Sequence, residues 1–211
     1  MKCVYFTDFD GTITKIDTTD ALIETFSADG WQEILQQWEQ GELTTKKSAR
    51  LFFKLLHVTP EEAKHFLRSI PIDETFRDFV NYVENRQEKL YILSDGFDFN
   101  IKTVLEKADL THLTFYTNRF FFYEDRYDLE TPYASSCGKC GTCKKTLVKK
   151  LKADAEQIIY IGDGISDICA CQSADIVFAK GHLLQYRKRH NLPSQPFTSF
   201  AEITKWLQEH S

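Results

Sequence analysis

The amino-acid sequence predicts an α/β protein built on a parallel β-sheet, with a group of helices inserted after the first strand. Three short apolar runs support this prediction, because each ends in small polar or acidic residues and is followed by a segment of helical pattern. They are Cys3-Val4-Tyr5-Phe6, Tyr91-Ile92-Leu93 and Gln157-Ile158-Ile159-Tyr160-Ile161. Open α/β sheets bind ligands at the carboxyl ends of their strands. We therefore expect the residues that follow the three runs to share one site.

The first run ends in Asp8-Phe9-Asp10-Gly11-Thr12, which places two carboxylates at the end of one strand. Residues i and i+2 of an extended chain point to the same side, so we expect Asp8 and Asp10 to share a site. Adjacent carboxylates repel each other and lose hydration, and a bound cation or protonation of one of them relieves this cost. The alternative is a turn in which both aspartates are solvated.

The two other runs end in a similar way. Ser94-Asp95-Gly96 follows the second run, and Gly162-Asp163-Gly164-Ile165-Ser166-Asp167 follows the third, with two aspartates four positions apart. These groups can meet Asp8 and Asp10 only if the three strands are parallel neighbours, since their carboxyl ends then lie at one edge of the sheet.

The segment from Asp17 to Arg68 has the three- and four-residue apolar spacing of amphipathic helices. Thr44 is a candidate N-cap, and Thr59-Pro60-Glu61-Glu62 combines a Thr cap, a Pro at the first position and a capping-box Glu. Several helices between the first two strands are too many for one βαβ crossover. We therefore predict a helical cap over residues 15–76.

The predicted core comprises residues 1–14 and 77–211, and apolar patterns divide it further. Helices are expected over Phe76–Val83, Cys143–Leu151 and Phe197–Leu207, and strands over Phe115–Tyr116, Phe120–Tyr123 and Ile176–Phe178. Tyr127 is also strand-like, and Glu124-Asp125 before it indicates a hairpin.

Composition and charge exclude several classes of function. The 211-residue chain is 42% hydrophobic, as is usual for a globular protein, and its net charge is -5. Most members of a group of lysines have the spacing of a solvated helix face, so we expect no nucleic-acid partner. The group comprises Lys144, Lys145, Lys149, Lys150 and Lys152. The sequence carries no indication of oligomeric state.

The chain is expected to be cytoplasmic, with no membrane partner. No apolar run reaches the roughly 18 residues that cross a bilayer, and the N-terminus lacks the pattern of a signal peptide. Six cysteines without an export signal are expected to be reduced thiols.

The motifs together resemble those of the haloacid-dehalogenase superfamily of phosphatases. Asp8-Phe9-Asp10-Gly11-Thr12 matches the first motif of that superfamily, Ser94 the second and Gly162–Asp167 the fourth. The third motif is a lysine, for which Lys144 is the best candidate and Lys145 the second. The resemblance implies a Rossmann-like core that carries a small α-helical cap.

A narrower resemblance exists within the superfamily. The Cys-rich stretch that ends in Lys144, with Phe178-Ala179-Lys180 and His182-Leu183-Leu184, is similar to the phosphatases of methionine salvage. Phosphoserine phosphatases are a more distant group. The partner implied is a small phosphorylated metabolite, either 2-hydroxy-3-keto-5-methylthiopentenyl-1-phosphate or, in the related group, phosphoserine.

The resemblance and the chemistry of phosphoryl transfer give each motif residue an expected role. Asp8 is expected to be the nucleophile, through an aspartyl-phosphate, and Asp10 the general acid and base. Ser94 and Lys144 are expected to bind the phosphoryl group. The backbone amides of Gly11-Thr12 would add donors, because successive amides in a turn favour anions.

The expected cofactor is Mg²⁺, since hard oxygen ligands converge at this edge. We expect it at the Asp8 carboxylate, the Asp10 backbone carbonyl and Asp163. Three roles are open for Asp167: a further metal ligand, a group that orients water or Lys144, or a helix N-cap.

Two features depart from the motifs or add to them. Asp95 follows the motif-two serine, where the resembling families commonly carry Gly, and we expect its side chain to cap the following helix rather than to approach the phosphate. Cys137, Cys140 and Cys143 form a C-x-x-C-x-x-C array, which can bind zinc if a fourth ligand is supplied. Free thiols are the expected state of this array.

Substrate specificity is expected to come from the cap. Asp17 and Arg50 lie near the places where phosphoserine phosphatases carry a Glu for the substrate amine and an Arg for its carboxylate. They are candidates to recognise a zwitterion, the alternative being a helix-starting Asp and a solvated Arg. The predicted function is a Mg²⁺-dependent phosphomonoesterase of a small metabolite. A phosphotransferase and a non-catalytic phosphate-binding protein are the alternatives.

Overall fold

A computed structural model describes residues 2–123, 127–136 and 138–210 of the chain. Within these residues, seven strands form one sheet. They are β1 (Cys3–Thr7), β2 (Lys89–Phe97), β3 (Thr114–Phe122), β4 (Tyr127–Glu130), β5 (Gln157–Gly162), β6 (Ile176–Ala179) and β7 (Gln195–Pro196). Their order is β4-β3-β2-β1-β5-β6-β7, and β4 runs antiparallel to β3 while the other neighbours are parallel. The predicted α/β class is confirmed.

Nine α-helices accompany the sheet in the described part of the chain. They are α1 (Thr18–Phe26), α2 (Trp31–Glu39), α3 (Thr45–Leu55), α4 (Pro60–Leu67), α5 (Phe76–Asn85), α6 (Asp98–Lys107), α7 (Lys144–Leu151), α8 (Gly181–Arg189) and α9 (Phe200–Glu209). Helices α1 to α4 correspond to the predicted cap. Over the same residues, none of the helices has the length and apolar character needed to cross a membrane.

Strand β1 lies between β2 and β5, which brings the three predicted strand ends together. Thr7, the last residue of β1, pairs with Ile92 on one side and Ile161 on the other. The N–H of Asp8 continues this ladder by donating to the carbonyl oxygen of Ile161 at 2.9 Å. The three apolar runs are therefore parallel neighbours, as the sequence predicted.

Strand β2 is longer than the sequence indicated. The predicted strand covered the apolar run from Tyr91 to Leu93, whereas β2 continues through Ser94 to Phe97. The register between β2 and β3 shifts in this part, and the N–H of Gly96 donates to Oγ of Ser94 at 2.9 Å. This irregularity lets the strand continue past polar residues that usually mark a strand end.

Two apolar clusters cover the two faces of the sheet, because successive side chains of a strand point to opposite faces. One cluster contains Tyr5 and Ile159 and is covered by α5, α6 and α9. The other contains Phe6 and Tyr160 and is covered by α7 and α8. Both faces are thus covered by helices, as a parallel sheet requires.

The cap packs against the β3–β4 hairpin as well as on itself. A third cluster joins Leu22, Leu56 and Leu67 of the cap, and Phe122 and Tyr127 of the hairpin pack against it. The antiparallel pairing of β3 and β4 confirms the predicted hairpin, while Glu124-Asp125, predicted at its turn, lies outside the described residues.

Both predicted helix starts in the cap are confirmed. Oγ1 of Thr44 accepts the N–H of Lys47 at 3.3 Å, and Thr59 and Glu62 form a capping box. Where cap and core join, the N–H of Lys15 donates to the carbonyl oxygen of Pro71 at 2.9 Å. The predicted cap boundaries at 15–76 stay a prediction.

The C-terminal third contains the largest differences from the expected elements. Helix α8 and strand β7 were not anticipated, and α9 begins at Phe200 instead of Phe197. Ser199 keeps extended backbone angles before α9, while Phe197 is already buried in the core. Burial of an aromatic residue before a helix resembles helical periodicity in sequence, which explains the early predicted start.

Candidate active site

Asp8 is the central carboxylate of the site. It follows β1 directly and is buried, with Oδ1 accepting the N–H of Phe9 at 2.7 Å. Oδ2 lies 2.7 Å from Nζ of Lys144. Burial raises the pKa of Asp8 well above its usual value, the neighbouring Asp167 adds to the rise, and the Lys144 ammonium opposes it. Asp8 therefore sits in a place that favours additional positive charge.

Lys144 begins α7 and lies between two carboxylates. Its Nζ contacts Oδ1 of Asp167 at 2.7 Å as well as Asp8. Burial would lower the pKa of Lys144, but the two carboxylates raise it instead. The neighbouring Lys145 is only partly buried, and its Nζ donates to Oε1 of Gln172 at 2.9 Å. Of the two lysine candidates, the structure brings Lys144 to the site.

Asp167 is fully buried and accepts four hydrogen bonds. Oδ1 accepts from Lys144 and from the hydroxyl of Tyr160, each at 2.7 Å. Oδ2 accepts the N–H groups of Asp163 at 3.1 Å and Gly164 at 2.9 Å. Burial alone would raise the pKa of Asp167, but the Lys144 ammonium and the other donors hold it below the usual value. The Asp167 carboxylate therefore holds the Lys144 ammonium. One of its oxygens is also close enough to those of Asp8 and Asp163 to join them in binding a metal ion.

Three carboxylates are close enough to share a metal ion. One oxygen each from Asp8, Asp163 and Asp167 lies within 4.8 Å of the others. Burial raises the pKa of Asp163, while the hydroxyl of Thr12, which donates to its Oδ1 at 2.6 Å, opposes the rise. Lys144 contacts two of the three carboxylates, the Lys180 ammonium acts on Asp163 and Asp8 from further away, and all the ligand atoms are hard oxygens. These residues fit Mg²⁺.

Asp10 and Ser94 contact each other near the ends of β1 and β2. Oδ1 of Asp10 accepts both the N–H of Thr18 at 2.9 Å and its hydroxyl at 2.6 Å. Oγ of Ser94 donates to Oδ2 of Asp10 at 3.2 Å. Nδ2 of the buried Asn100 donates to Oγ1 of Thr18 at 3.1 Å, so the hydroxyl hydrogen of Thr18 is directed at Asp10. Asp10 is therefore held by the start of α1.

The turn after β1 needs glycine at position 11. Gly11 has a φ of +69°, and an added Cβ would lie 2.6 Å from Oδ2 of Asp163. The Gly11 amide donates to Oγ1 of Thr14 at 3.2 Å, and the Thr12 amide to the carbonyl oxygen of Phe9 at 3.2 Å. Both amides thus have acceptors within the turn, and their predicted contact with phosphate stays a prediction.

The two specificity candidates lie on different parts of the cap. Asp17 is the exposed N-cap of α1, and its Oδ1 accepts the N–H groups of Thr19 at 2.8 Å and Asp20 at 2.9 Å. Arg50 is exposed on α3 and forms an ion pair with Asp128 of β4 at 3.8 Å. The structure does not pair these two candidates, and their recognition of a zwitterion stays a prediction.

The predicted cap role of Asp95 is wrong. Helix α6 begins after Phe97 without a side-chain cap, because Asp95 lies inside β2 and its carboxylate has other donors. They are Thr45, Asn118 and the N–H of Thr142.

The cysteine array is described only in part. Cys137 lies outside the described residues, so a metal at the array stays untested. Five of the six cysteines lie in the described residues, and the expected reduced state of the thiols stays a prediction.

Sequence analysis did not identify three residues that contact the site. Tyr160 was taken as part of an apolar strand, and Thr18 and Asn100 as parts of helices. A hydroxyl in an otherwise aliphatic strand, two residues before Gly162, is the signal that could have singled out Tyr160. Asn has a low helix propensity, so its presence inside α6 could have indicated a buried polar role.

Comparison with known families gives a match over almost the whole chain. The family model described as Putative Phosphatase matches residues 3–211. A curated relative from Bacillus pumilus, named 2-hydroxy-3-keto-5-methylthiopentenyl-1-phosphate phosphatase, is 31% identical over 207 residues, which cover 96% of this chain and 89% of the relative. The protein of the same name from Lysinibacillus sphaericus is 31% identical over 220 residues, with coverage of 99% and 95%.

Solved structures share the fold at lower identity. A phospho-aspartyl intermediate analogue of phosphoserine phosphatase matches with a TM-score of 0.74 and 20% identity, over 97% of this chain and 98% of the other. A substrate-bound phosphoserine phosphatase complex matches with a TM-score of 0.72 and 18% identity, over 98% of both chains. These likenesses confirm the Rossmann-like α/β fold that the motifs implied.

Proposed function

Because this chain belongs to the family described as Putative Phosphatase and is a phosphoric monoester hydrolase, we propose that it hydrolyses a small phosphorylated metabolite through Asp8, with Mg²⁺ as cofactor. The observation that carries the proposal is the buried contact of Asp8 with Lys144 at 2.7 Å, beside two further carboxylates. In this proposal a nucleophile, a phosphate-binding cation and a set of metal ligands share one edge of the sheet.

The first half of the reaction transfers the phosphoryl group to Asp8. A carboxylate oxygen of Asp8 attacks phosphorus, and the bond between phosphorus and the ester oxygen breaks. Asp10 donates its proton to that oxygen, so the alcohol or enol leaves neutral. Two donors from Thr18 hold one oxygen of Asp10, which leaves its second oxygen directed towards Ser94 and the reacting group.

The second half regenerates the enzyme. Asp10, now a carboxylate, takes a proton from water, and the water oxygen attacks phosphorus. The bond between phosphorus and Asp8 breaks, and inorganic phosphate leaves. The same residue therefore serves as acid and then as base, which restores the starting protonation state after each turnover.

Positive charge and donors around the phosphoryl group lower the barrier for both steps. In this proposal Lys144 and the hydroxyl of Ser94 bind its oxygens. The support is that Lys144 contacts Asp8 and Ser94 contacts Asp10. Asp8 and Asp163 would hold Mg²⁺, with Asp167 within reach, and the bound ion supplies charge that neutralises the transferring group. The backbone carbonyl of Asp10 would be a further ligand of the ion.

The substrate proposed first is 2-hydroxy-3-keto-5-methylthiopentenyl-1-phosphate. Its support is the name shared by relatives that are 31% identical to this chain over nearly its full length. Phosphoserine or another small amine phosphate is second, because the phosphoserine phosphatases match in fold at about 20% identity or less.

A panel of small phosphate esters with purified protein and Mg²⁺ tests the substrate. We expect the methylthiopentenyl phosphate to have the highest kcat/KM of the panel. Mass spectrometry of rapidly quenched enzyme should find a phosphate adduct on the peptide that contains Asp8. An adduct on another residue, or none during measurable turnover, would refute the nucleophile. A competing alcohol that becomes phosphorylated would identify a phosphotransferase instead.

A further inference from the structure

Asp95 lies next to Ser94, yet the proposed reaction gives it no part. Its carboxylate has donors from three separate segments of the chain. Oδ1 accepts the N–H of Thr142 at 2.7 Å and Nδ2 of Asn118 at 3.2 Å, and Oδ2 accepts Oγ1 of Thr45 at 2.9 Å. All three donor residues are buried. The carboxylate is therefore fixed at a junction of cap, sheet and loop.

The contact with Thr45 joins Asp95 to the cap. Thr45 is the first residue of α3, and Trp38 of α2 donates Nε1–H to its Oγ1 at 3.3 Å. Because that oxygen accepts from Trp38, its own hydrogen is directed at Asp95. The N-terminal end of a helix also favours a negative charge. The N–H of Thr45 donates to the carbonyl oxygen of Lys139 at 3.4 Å, which adds a contact to the loop before α7.

The contact with Thr142 joins Asp95 to the segment that carries the site lysine. Lys144 begins α7 only two residues later. Gly141, just before Thr142, packs so closely on Asn118 that an added Cβ would lie 2.4 Å from Oδ1. Because Asp95 accepts the N–H of Thr142, a displacement of its carboxylate would act on the loop two residues before the start of α7.

We propose that Asp95 is a positioning residue that couples docking of the cap to the alignment of Lys144 and Ser94. The proposal rests on the proposed phosphatase function, since it assigns those two residues to phosphate. With the cap docked, Thr45 holds one oxygen of the carboxylate while the other oxygen holds the loop. Separation of the cap removes the Thr45 contact and loosens the loop. Asp95 transfers no proton and touches no substrate.

Thr45→Val removes the hydroxyl while preserving the shape of the side chain. With the methylthiopentenyl phosphate and with an aryl phosphate as probes, we expect kcat to fall about tenfold while KM changes much less, as for the loss of one hydrogen bond to a charged group. Thr45→Ser keeps the hydroxyl and should restore kcat. A purely structural role in the cap would affect the amount of folded protein rather than kcat.

Thr44→Val is the matched control. Thr44 caps the same helix through the N–H of Lys47, so its loss weakens α3 without touching the carboxylate. We expect kcat of this variant to stay within about twofold of wild type. Asp95→Asn should also lower kcat, and the double variant with Thr45→Val should be no slower than Asp95→Asn alone, because both changes break one link.

Hydrogen exchange gives a readout that needs no turnover. The N–H of Thr142 donates to Asp95, so its exchange rate, measured by NMR, reports the loop contact directly. Thr45→Val should raise this rate although Thr45 lies on the cap, and Thr44→Val should leave it unchanged. The exchange rate tests the link from Thr45 through Asp95 to the loop even if the wild-type chain hydrolyses none of the esters. In that case the proposed function fails, and the link can still be confirmed or refuted.

Three results would overturn the proposal. The first is wild-type kcat together with wild-type exchange at Thr142 in Thr45→Val. The second is an equal loss of kcat in Thr44→Val, which would indicate general weakening of α3. The third is a double variant whose losses multiply, because independent effects would then explain both single variants.

Discussion

Nζ of Lys144 lies 2.7 Å from Oδ2 of Asp8, and both side chains are almost completely buried. The same ammonium lies 2.7 Å from Asp167, so one cation serves two carboxylates. Asp163 adds a third carboxylate to the group. The ion pair fixes Asp8, the proposed nucleophile, and a divalent cation would balance the negative charge of the three carboxylates.

Lys144→Ala should lower kcat/KM about a hundredfold to a thousandfold, because an ammonium that serves phosphate in both the ground and transition states is lost. In metal-free buffer it should also lower the free energy of unfolding by about 3–5 kcal/mol, since two buried carboxylates lose their partner. Steady-state kinetics and urea unfolding measure the two effects.

Lys145→Ala is the matched control for this variant. Lys145 is the next residue on α7, but it is only partly buried and its Nζ bonds Gln172 instead of a carboxylate of the site. Both kcat/KM and stability should stay near wild type. If Lys145→Ala is the inactive variant, the assignment of the phosphate-binding lysine moves by one residue.

The strand ends of the site could be predicted from sequence because their signals are local. An apolar run followed by Asp8, or by Asp163 and Asp167, needs only the period of a strand and a turn residue to be recognised. A shared site required the three runs to be parallel neighbours, and the observed sheet order meets that condition. The helix starts at Thr44 and Thr59 were found for the same reason, since a cap lies within four residues of the amides it binds.

The partners of these side chains could not be predicted, because they come from distant segments. Asp95 was expected to cap α6, but its three donors lie 23 to 50 positions away in sequence. The hydroxyl of Tyr160 bonds Asp167 across a turn, a contact that the apolar strand pattern concealed. Buried polar groups select whichever donors the tertiary packing provides, and a local pattern does not contain that information.

Asp8→Asn should abolish turnover while leaving the fold intact. The amide has nearly the same shape and can still accept from the Lys144 ammonium, but it cannot form an acyl-phosphate. Circular dichroism should match wild type, and rapid-quench experiments should show no phosphate adduct. Turnover close to the wild-type rate would mean that another group attacks phosphorus.

Activity should disappear with EDTA and return with Mg²⁺. Ca²⁺ should support it poorly, because its larger and more flexible coordination shell changes the in-line geometry. Asp163→Asn should weaken Mg²⁺ binding, measured by calorimetry, about tenfold or more, since a charged ligand is lost. Asp95→Asn is the control, because its carboxylate is directed at Thr45 and Thr142. Equal weakening in both variants would place Asp95 in the metal site.

Gly96→Ala should lower kcat because the added methyl group has no room. Its Cβ would lie 2.6 Å from Oδ2 of Asp10, the proposed acid, and 3.1 Å from Oγ of Ser94, the proposed phosphate donor, so both side chains must move. A displacement of about 1 Å costs on the order of a hundredfold in rate. Gly164→Ala is the control, since its Cβ would lie 3.8 Å from the nearest atom of Asp167. Equal losses would show general sensitivity of the strand ends.

Variants of Asp17 and Arg50, the two candidate specificity residues, distinguish between the two proposed substrates. Asp17→Asn removes the carboxylate charge but keeps an N-cap for α1, because Asn caps helices as well as Asp does. Arg50→Gln removes the cation of an exposed ion pair with Asp128. Arg68→Gln is its matched control, since Arg68 forms a similar exposed pair with Glu106 at 3.7 Å. Exposed pairs contribute little stability, so all three variants should fold.

If Asp17 and Arg50 recognise a zwitterion, both variants should lower kcat/KM for phosphoserine and spare an aryl phosphate, which has no amine or carboxylate. The methylthiopentenyl phosphate carries no charge beyond its phosphate, so its kcat/KM should also be spared. An equal loss of kcat/KM on all three esters would contradict the proposal that the cap determines specificity while the core carries out the chemistry. It would indicate that Arg50 reaches the phosphate itself. Because Arg50 pairs with Asp128 of the hairpin, that outcome would require the pair to open when substrate binds.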